Sequence, residues 1–356
     1  MKTNQLILAA AIVALASCTK DIVVRNNDLD TDEIGFRAVS SMNTKANDAI
    51  ISGTTYATDN TFQVWGWQSP LADFSEFSDD AASNFMSNLT IEYTTGRDAN
   101  RAAAWRNADK YYYWPFTGKI SFLAIHPSDV VPTSTGWDAT NDKPKAAISD
   151  YTIAANTNET VDLMFATNEG ARRADALPMV FKHALSQIVV NVKTDEDYKT
   201  YDGVVFDIES VTFHNIDLSG DVTYQNEAIS WADNDTQTED WVYYDTVLED
   251  ITNQYQLYGA ANVMIPQPAY APVAQVGEPG DANYVAPEDG TTITIGYSMQ
   301  QDGNAKITGE VTVSAPQLWE AGKKYNYSIN FRLNEIIFNP SVTDWVDVDV
   351  ETIYIF

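Results

Sequence analysis

The sequence predicts an all-β chain arranged as two β-sandwich domains, and three observations predict it. Segments in which apolar and polar residues alternate with period two recur from Ile34 onward, bounded by Gly, Pro, Asn and Asp, as strands with one buried face require. Sustained helical periodicity is nearly missing, so the amphipathic crossover helices of an α/β fold have no counterpart. The composition, 44% hydrophobic and 12% aromatic, is too apolar for a disordered acidic chain and suits packed cores.

The first element in chain order is not a strand. Met1-Lys2 supplies positive charge, Leu6 to Ala16 forms an eleven-residue apolar run, and Leu15-Ala16-Ser17-Cys18 closes it with small residues. The run is too short to span a bilayer; charge, apolar stretch and small residues in that order make residues 1–17 a removable secretory signal. Its end resembles a bacterial lipobox. That resemblance implies cleavage before Cys18, a diacylglycerol on its sulfur and an acyl chain such as palmitate on its freed amine, enough buried chains for stable anchoring. The alternative is an ordinary signal with a chance cysteine. Cys18 is the sole cysteine, so once it is lipidated no thiol is left for a disulfide, a zinc site or a nucleophile.

Residues 18–33 read as an acidic tether ending in Asp28-Leu29-Asp30-Thr31-Asp32-Glu33. A calcium loop would need glycine sixth and glutamate twelfth, where Glu33 and Val39 stand. The first strand is Ile34 to Val39. Further strands are Phe62 to Trp67, Ile120 to Ile125, Ile188 to Val192 and Val211 to Ile216. Thr291 to Met299 places Ile293, Ile295, Tyr297 and Met299 on one face, and Tyr325 to Phe331 alternates most cleanly. The charged break Thr194 to Thr200 divides a first domain, 34–197, from a second, 198–356. Pro266 to Gly290 reads as a long surface loop in the second. Near the end, Val346 to Glu351 puts its acids on one strand face and valines on the other, a solvated face in preference to a metal site.

Charge and motifs bound the chemistry. A net charge of −29, from 50 Asp+Glu against 21 Lys+Arg, opposes nucleic-acid binding, which needs a basic surface. The three histidines, His126, His183 and His214, each end an apolar run, where a hydrogen-bonded structural role is the commoner fate. Neither a G-x-S-x-G elbow nor H-E-x-x-H is found, so no catalytic residue, metal ligand or cofactor is assigned and a non-enzyme is expected. Carboxylate pairs of the glycosidase kind carry no information without geometry. The aromatic run Tyr111 to Phe116, with Trp65, Trp67 and Trp105, has two readings: core, or a platform on which sugars stack.

Specific blocks then matter more than composition. Trp105, Tyr113-Trp114-Pro115 and Ile120 to Pro127 resemble the "W…YWP…I-x-F-x-A-x-x-P" block of fimbrillin-like proteins. Asp162-Leu163-Met164 with Met179 to Ser186, Leu318 to Tyr327, and Val342 to Trp345 are similar to three further blocks in the family's order.

The resemblance implies transthyretin-like sandwich domains, export as a lipoprotein to the outer membrane and cell surface, and assembly into a fimbria, the type V pilus. In the family a trypsin-like protease removes the lipidated segment with the first strand, and a strand from another subunit fills the groove. Here cleavage would follow Lys45 or Arg37; Thr44-Lys45-Ala46 stands where the family often has Thr-Arg-Ala. The donor strand would come from Trp345 to Phe356, with Val348, Val350, Thr352, Tyr354 and Phe356 on one face. Both faces turn apolar near its end, which suits insertion into a neighbour or a central place in its own domain. Implied partners are other pilus subunits, the maturation protease, a host or bacterial surface ligand, and the membrane through the lipid. Two alternatives stand beside this: a non-polymerising surface lipoprotein that binds glycans through exposed aromatics, and a glycan hydrolase.

Overall fold

The computed structural model describes residues 32–40, 56–153, 161–173, 175–194, 203–233, 239–251, 255–257, 263–267, 290–315, 319–332 and 335–344. Every regular element among them is a strand. The first ten are β1 (Phe36–Ser40), β2 (Phe62–Ser69), β3 (Met86–Thr94), β4 (Ala104–Arg106), β5 (Lys119–His126), β6 (Ser134–Asp138), β7 (Lys143–Thr152), β8 (Met164–Gly170), β9 (Leu177–His183) and β10 (Ser186–Thr194). The rest are β11 (Val204–Ile216), β12 (Ser219–Gln225), β13 (Ala228–Asp233), β14 (Glu239–Tyr244), β15 (Tyr255–Leu257), β16 (Val263–Met264), β17 (Thr292–Gln301), β18 (Ile307–Ser314), β19 (Lys323–Arg332) and β20 (Glu335–Asp344).

Seven of the strands form a closed barrel of order β1-β4-β3-β2-β5-β8-β9. Its interior holds Phe36, Phe62, Val64, Ile120, Phe122, Met164, Met179 and Phe181. Residues of opposite parity on the same strands, Trp65, Trp67, Leu123, Ile125 and Phe165, point the other way. They pack with Trp137, Ile148, Val222 and Tyr224 of the sheet β13-β12-β7-β6. The predicted β2 and β5 therefore differ from expectation in one respect. They are buried on both faces, because the barrel wall is lined inside by its own core and covered outside by a second sheet.

The third core lies between the sheet β15-β10-β19-β20, to which β16 adds beside β10, and the sheet β14-β11-β17-β18. Parallel pairing of β10 with β19 sets Ile188 opposite Tyr325, Val190 opposite Tyr327 and Val192 opposite Ile329. All six side chains are buried there. Alternation of Ile293 and Ile295 with threonines on β17 faces the same core. The edge strand β18 leaves Ile307 exposed.

Two placements cross the division expected at 197/198. β10, before it, joins the sheet of β19, and the hairpin β12–β13, beyond it, pairs with β7 through Thr223↔Ala147 and its neighbours. Such long-range pairing leaves no trace in local alternation, which reports faces and not neighbours.

Candidate functional site

β1 is the strand that closes the barrel. It runs parallel to β9, from Phe36↔Leu177 to Ser40↔Phe181, and antiparallel to β4 at Phe36↔Trp105. Within it Phe36 and Ala38 are buried while Arg37 is exposed, and Ile34, two residues before the strand, is buried as well. The Phe36 ring sits edge-on to Phe122 at 5.3 Å and to Phe62 at 6.1 Å between centroids, a favoured geometry for aromatic pairs. Three backbone bonds fix the entry to the strand: Ile34 N–H to Tyr112 O at 2.8 Å, Trp114 N–H to Asp32 O at 2.7 Å and Leu177 N–H to Gly35 O at 2.8 Å. Gly170 ends β8 without a side chain, and a Cβ there would meet Trp114 at 2.7 Å, so this glycine lets the indole of Trp114 seat beside the entry.

Charge reinforces the seam. The Glu33 carboxylate, fully buried, is bonded to Arg101 and lies 3.4 Å from Arg106 Nη1, whose side chain is also buried. Arg101 in turn stands over the Tyr111 ring at 4.7 Å. Asp32 accepts two bonds from Arg172, at 2.7 and 2.5 Å, in an exposed pair. The acidic tether read over 18–33 thus stops short: its last two residues belong to the folded seam, held by arginines distant in sequence.

After residues 41–55, which lie outside the described residues, Tyr56 re-enters this core. It stacks on Phe181 at 5.2 Å and meets Trp105, Phe62 and His126 edge-on. Its hydroxyl lies 2.6 Å from His126 Nδ1, and burial raises its pKa well above the usual tyrosine value. Burial also holds His126 below the ordinary histidine value, opposed by its contact with the Thr61 carbonyl at 2.9 Å. His183 Nδ1 is paired with the buried Asp162 at 2.5 Å, and His214 Nδ1 with the exposed Asp240 at 2.8 Å. These are the hydrogen-bonded roles expected of all three. Among the described residues no group of three or more His, Cys, Asp or Glu is placed to hold a metal ion.

The aromatic run divides. Trp65, Trp67, Trp105 and Trp114 are core, whereas Tyr113 and Phe116 are exposed, Phe116 by 85% with Arg172 over its ring at 5.2 Å. Of the processing candidates, Arg37 lies within β1, paired on β9 opposite Pro178. Cys18, Lys45 and the donor positions Val348, Val350, Tyr354 and Phe356 lie outside the described residues. Sequence reasoning missed Glu33, Arg101 and Arg106. The signal present was an acid directly before an apolar alternation, with two arginines flanking the Trp105 block.

Comparison with known proteins agrees with this architecture. Residues 30–345 match the fimbrillin-like family. A fimbrial protein from Bacteroides vulgatus is similar in fold, with a TM-score of 0.55 at 16% identity over 88% of this chain and 99% of that one. A candidate cell adhesion protein from Bacteroides uniformis aligns at a TM-score of 0.46 and 15% identity over 88% of this chain and 99% of that one. A search of curated proteins finds no match. With the match running over most of its length, the chain belongs to the fimbrillin-like family.

Proposed function

We propose that this chain is a structural and adhesive subunit of a cell-surface fimbria of the type V kind. In this reading it is exported as a lipoprotein anchored through Cys18 in the outer membrane. Proteolysis then removes the N-terminal segment through β1, and a strand from another subunit takes the vacated place. The observation that carries the reading is the position of β1, a short N-terminal strand closing the barrel between β4 and β9. Its departure would leave unpaired N–H and C=O groups along two strands and empty the places of Ile34, Phe36 and Ala38. An incoming extended segment satisfies both demands at once. Family membership and the fold shared with a fimbrial protein support the same conclusion.

Lys45 is the favoured processing position over Arg37. A protease reads an extended, accessible substrate, and Arg37 is paired into the barrel on β9. Tyr56, packed among Phe181, Phe62, Trp105 and His126, would hold the new N-terminal end of the chain in place after cleavage. The donor is the C-terminal segment containing Val348, Val350, Tyr354 and Phe356. The separation of the barrel cores from the β10–β20 core favours two transthyretin-like units. N-terminal sequencing of surface-sheared material tests the processing step: chains beginning at Ala46 are expected, and chains still beginning at lipidated Cys18 would refute it.

A second reading, glycan contact through aromatics, rests on the exposure of Phe116 and Tyr113. Oligosaccharide binding lost in Phe116→Ala, by a chain that forms no filaments, is the result that would favour it.

A further inference from the structure

Asp32 closes a small polar site on the outer surface at the entry to β1. Its carboxylate accepts from Arg172 Nε at 2.7 Å and from Nη2 at 2.5 Å, and its carbonyl accepts from the Trp114 N–H at 2.7 Å. Arg172, in the turn between β8 and β9, holds its guanidinium 5.2 Å from the centre of the Phe116 ring. That ring is open to solvent. A guanidinium that grips a carboxylate with two parallel N–H groups reads its planar shape as well as its charge. An exposed ring beside it adds a rigid apolar face, against which the C–H groups of a pyranose can lie. In the intact chain the acid held there is the chain's own. Asp32 stands four residues before Phe36, so it departs with the N-terminal segment yet lies outside the Phe36–Ser40 ladder that an incoming strand must rebuild. Once it departs, the Arg172 fork and the Trp114 N–H lose these acceptors, while the cation–π contact keeps Arg172 beside Phe116.

We propose that Arg172, Phe116 and the Trp114 N–H form a subsite for a carboxylate-bearing saccharide of the sialic or hexuronic acid class, which Asp32 occupies until the N-terminal segment is cut away. The side chains of Arg172 and Asp32 are 42% and 36% exposed, so their pair is weak enough to be replaced by a ligand. Asp32 nevertheless competes well, because it is tethered beside the fork and needs no encounter from solution. One subsite binds a single sugar weakly, with a dissociation constant on the order of 1 mM. Repeated along a filament, the same contact gains about 10²–10⁴ in avidity. Unprocessed chains thus leave the ligand alone, and adhesion begins with processing. The inference rests on the strand-removal reading above and adds to it a ligand class and its regulation.

The test takes the full-length chain, uncut or cut by a trypsin-like protease, and measures its binding to polyacrylamide carriers that display N-acetylneuraminic acid, glucuronic acid or glucose. Cut wild type is expected to bind the acidic carriers at least about tenfold more tightly than the glucose carrier, and uncut wild type to show no such preference. Uncut Asp32→Ala is expected to gain the preference without proteolysis. Adding Arg172→Lys should remove it again, since an ammonium cannot form the fork, and adding Phe116→Ala should weaken it. All three positions are solvent-exposed, so the variants are expected to fold. An uncut Asp32→Ala chain that treats acidic and neutral carriers alike overturns the subsite, whatever becomes of processing. A full preference in uncut wild type overturns the masking by Asp32. A gain in Asp32→Ala beside a wild type that the protease never cuts supports the subsite and overturns the processing reading. Equally tight binding to a polyglutamate carrier overturns the assignment to a saccharide.

Discussion

Glu33 and Asp32 are neighbours with opposite energetic weight. The Glu33 carboxylate is enclosed with Arg101 and Arg106, so Glu33→Gln removes one member of a buried ion cluster and is expected to cost about 3 kcal/mol in chemical denaturation. Asp32 meets Arg172 in an exposed pair, and Asp32→Asn is expected to change stability by less than about 1 kcal/mol. Equal effects would contradict the burial argument. His126 makes a pH prediction. Its folded pKa is lowered, first by burial, so below the ordinary value of about 6.5 the unfolded chain binds a proton that the folded chain refuses. The His126 contribution is therefore constant above that pH and falls as pH drops through it, by up to about 1.4 kcal/mol per unit. Urea midpoints between pH 7 and pH 5 should decline in wild type and decline less in His126→Asn. Carboxylates held low, such as Asp138 through Asn141, Gln225 and backbone N–H groups, add a further loss only below about pH 4.

Among elements, β1 is expected to be the first to open. It has five residues, one pairing to β4 and a parallel ladder to β9. Phe36 is buried edge-on against Phe62 and Phe122, so Phe36→Ala is expected to cost about 3–5 kcal/mol. It should also raise amide exchange along β9 ahead of β10; uniform acceleration across the chain would show that β1 is not a separable unit. Several of the strands were legible in the sequence. Phe62 to Trp67, Ile120 to Ile125, Ile188 to Val192 and Tyr325 to Phe331 all lie within strands β2, β5, β10 and β19, because period two registers the pleat directly. What alternation cannot encode is which strand lies beside which. The parallel closure of β1 on β9, the double burial of β2 and β5, and the return of β12–β13 to β7 depend on partners far along the chain. Glu33 escaped for the same reason: among Asp28 to Asp32 it reads as one more solvated acid, and its partner Arg101 is 68 residues away.

For the whole molecule, the proposed function joins the barrel closed by β1 to two proposals, an N-terminal segment lipidated at Cys18 and a C-terminal run that replaces β1. The family was legible because the Trp105 to Pro127 block and its companions occur in order along most of the chain, and the all-β class because period-two alternation recurs along it. Lys45→Ala is expected to leave the monomer folded while abolishing processing and assembly, with Arg37→Ala having little effect on either. The most direct measurement is electron microscopy of protease-treated wild-type protein, with N-terminal sequencing of any filaments. Filaments whose subunits begin at Ala46 are the expected result. A homogeneous monomer after complete cleavage at Lys45, or filaments whose subunits retain β1, would contradict the account.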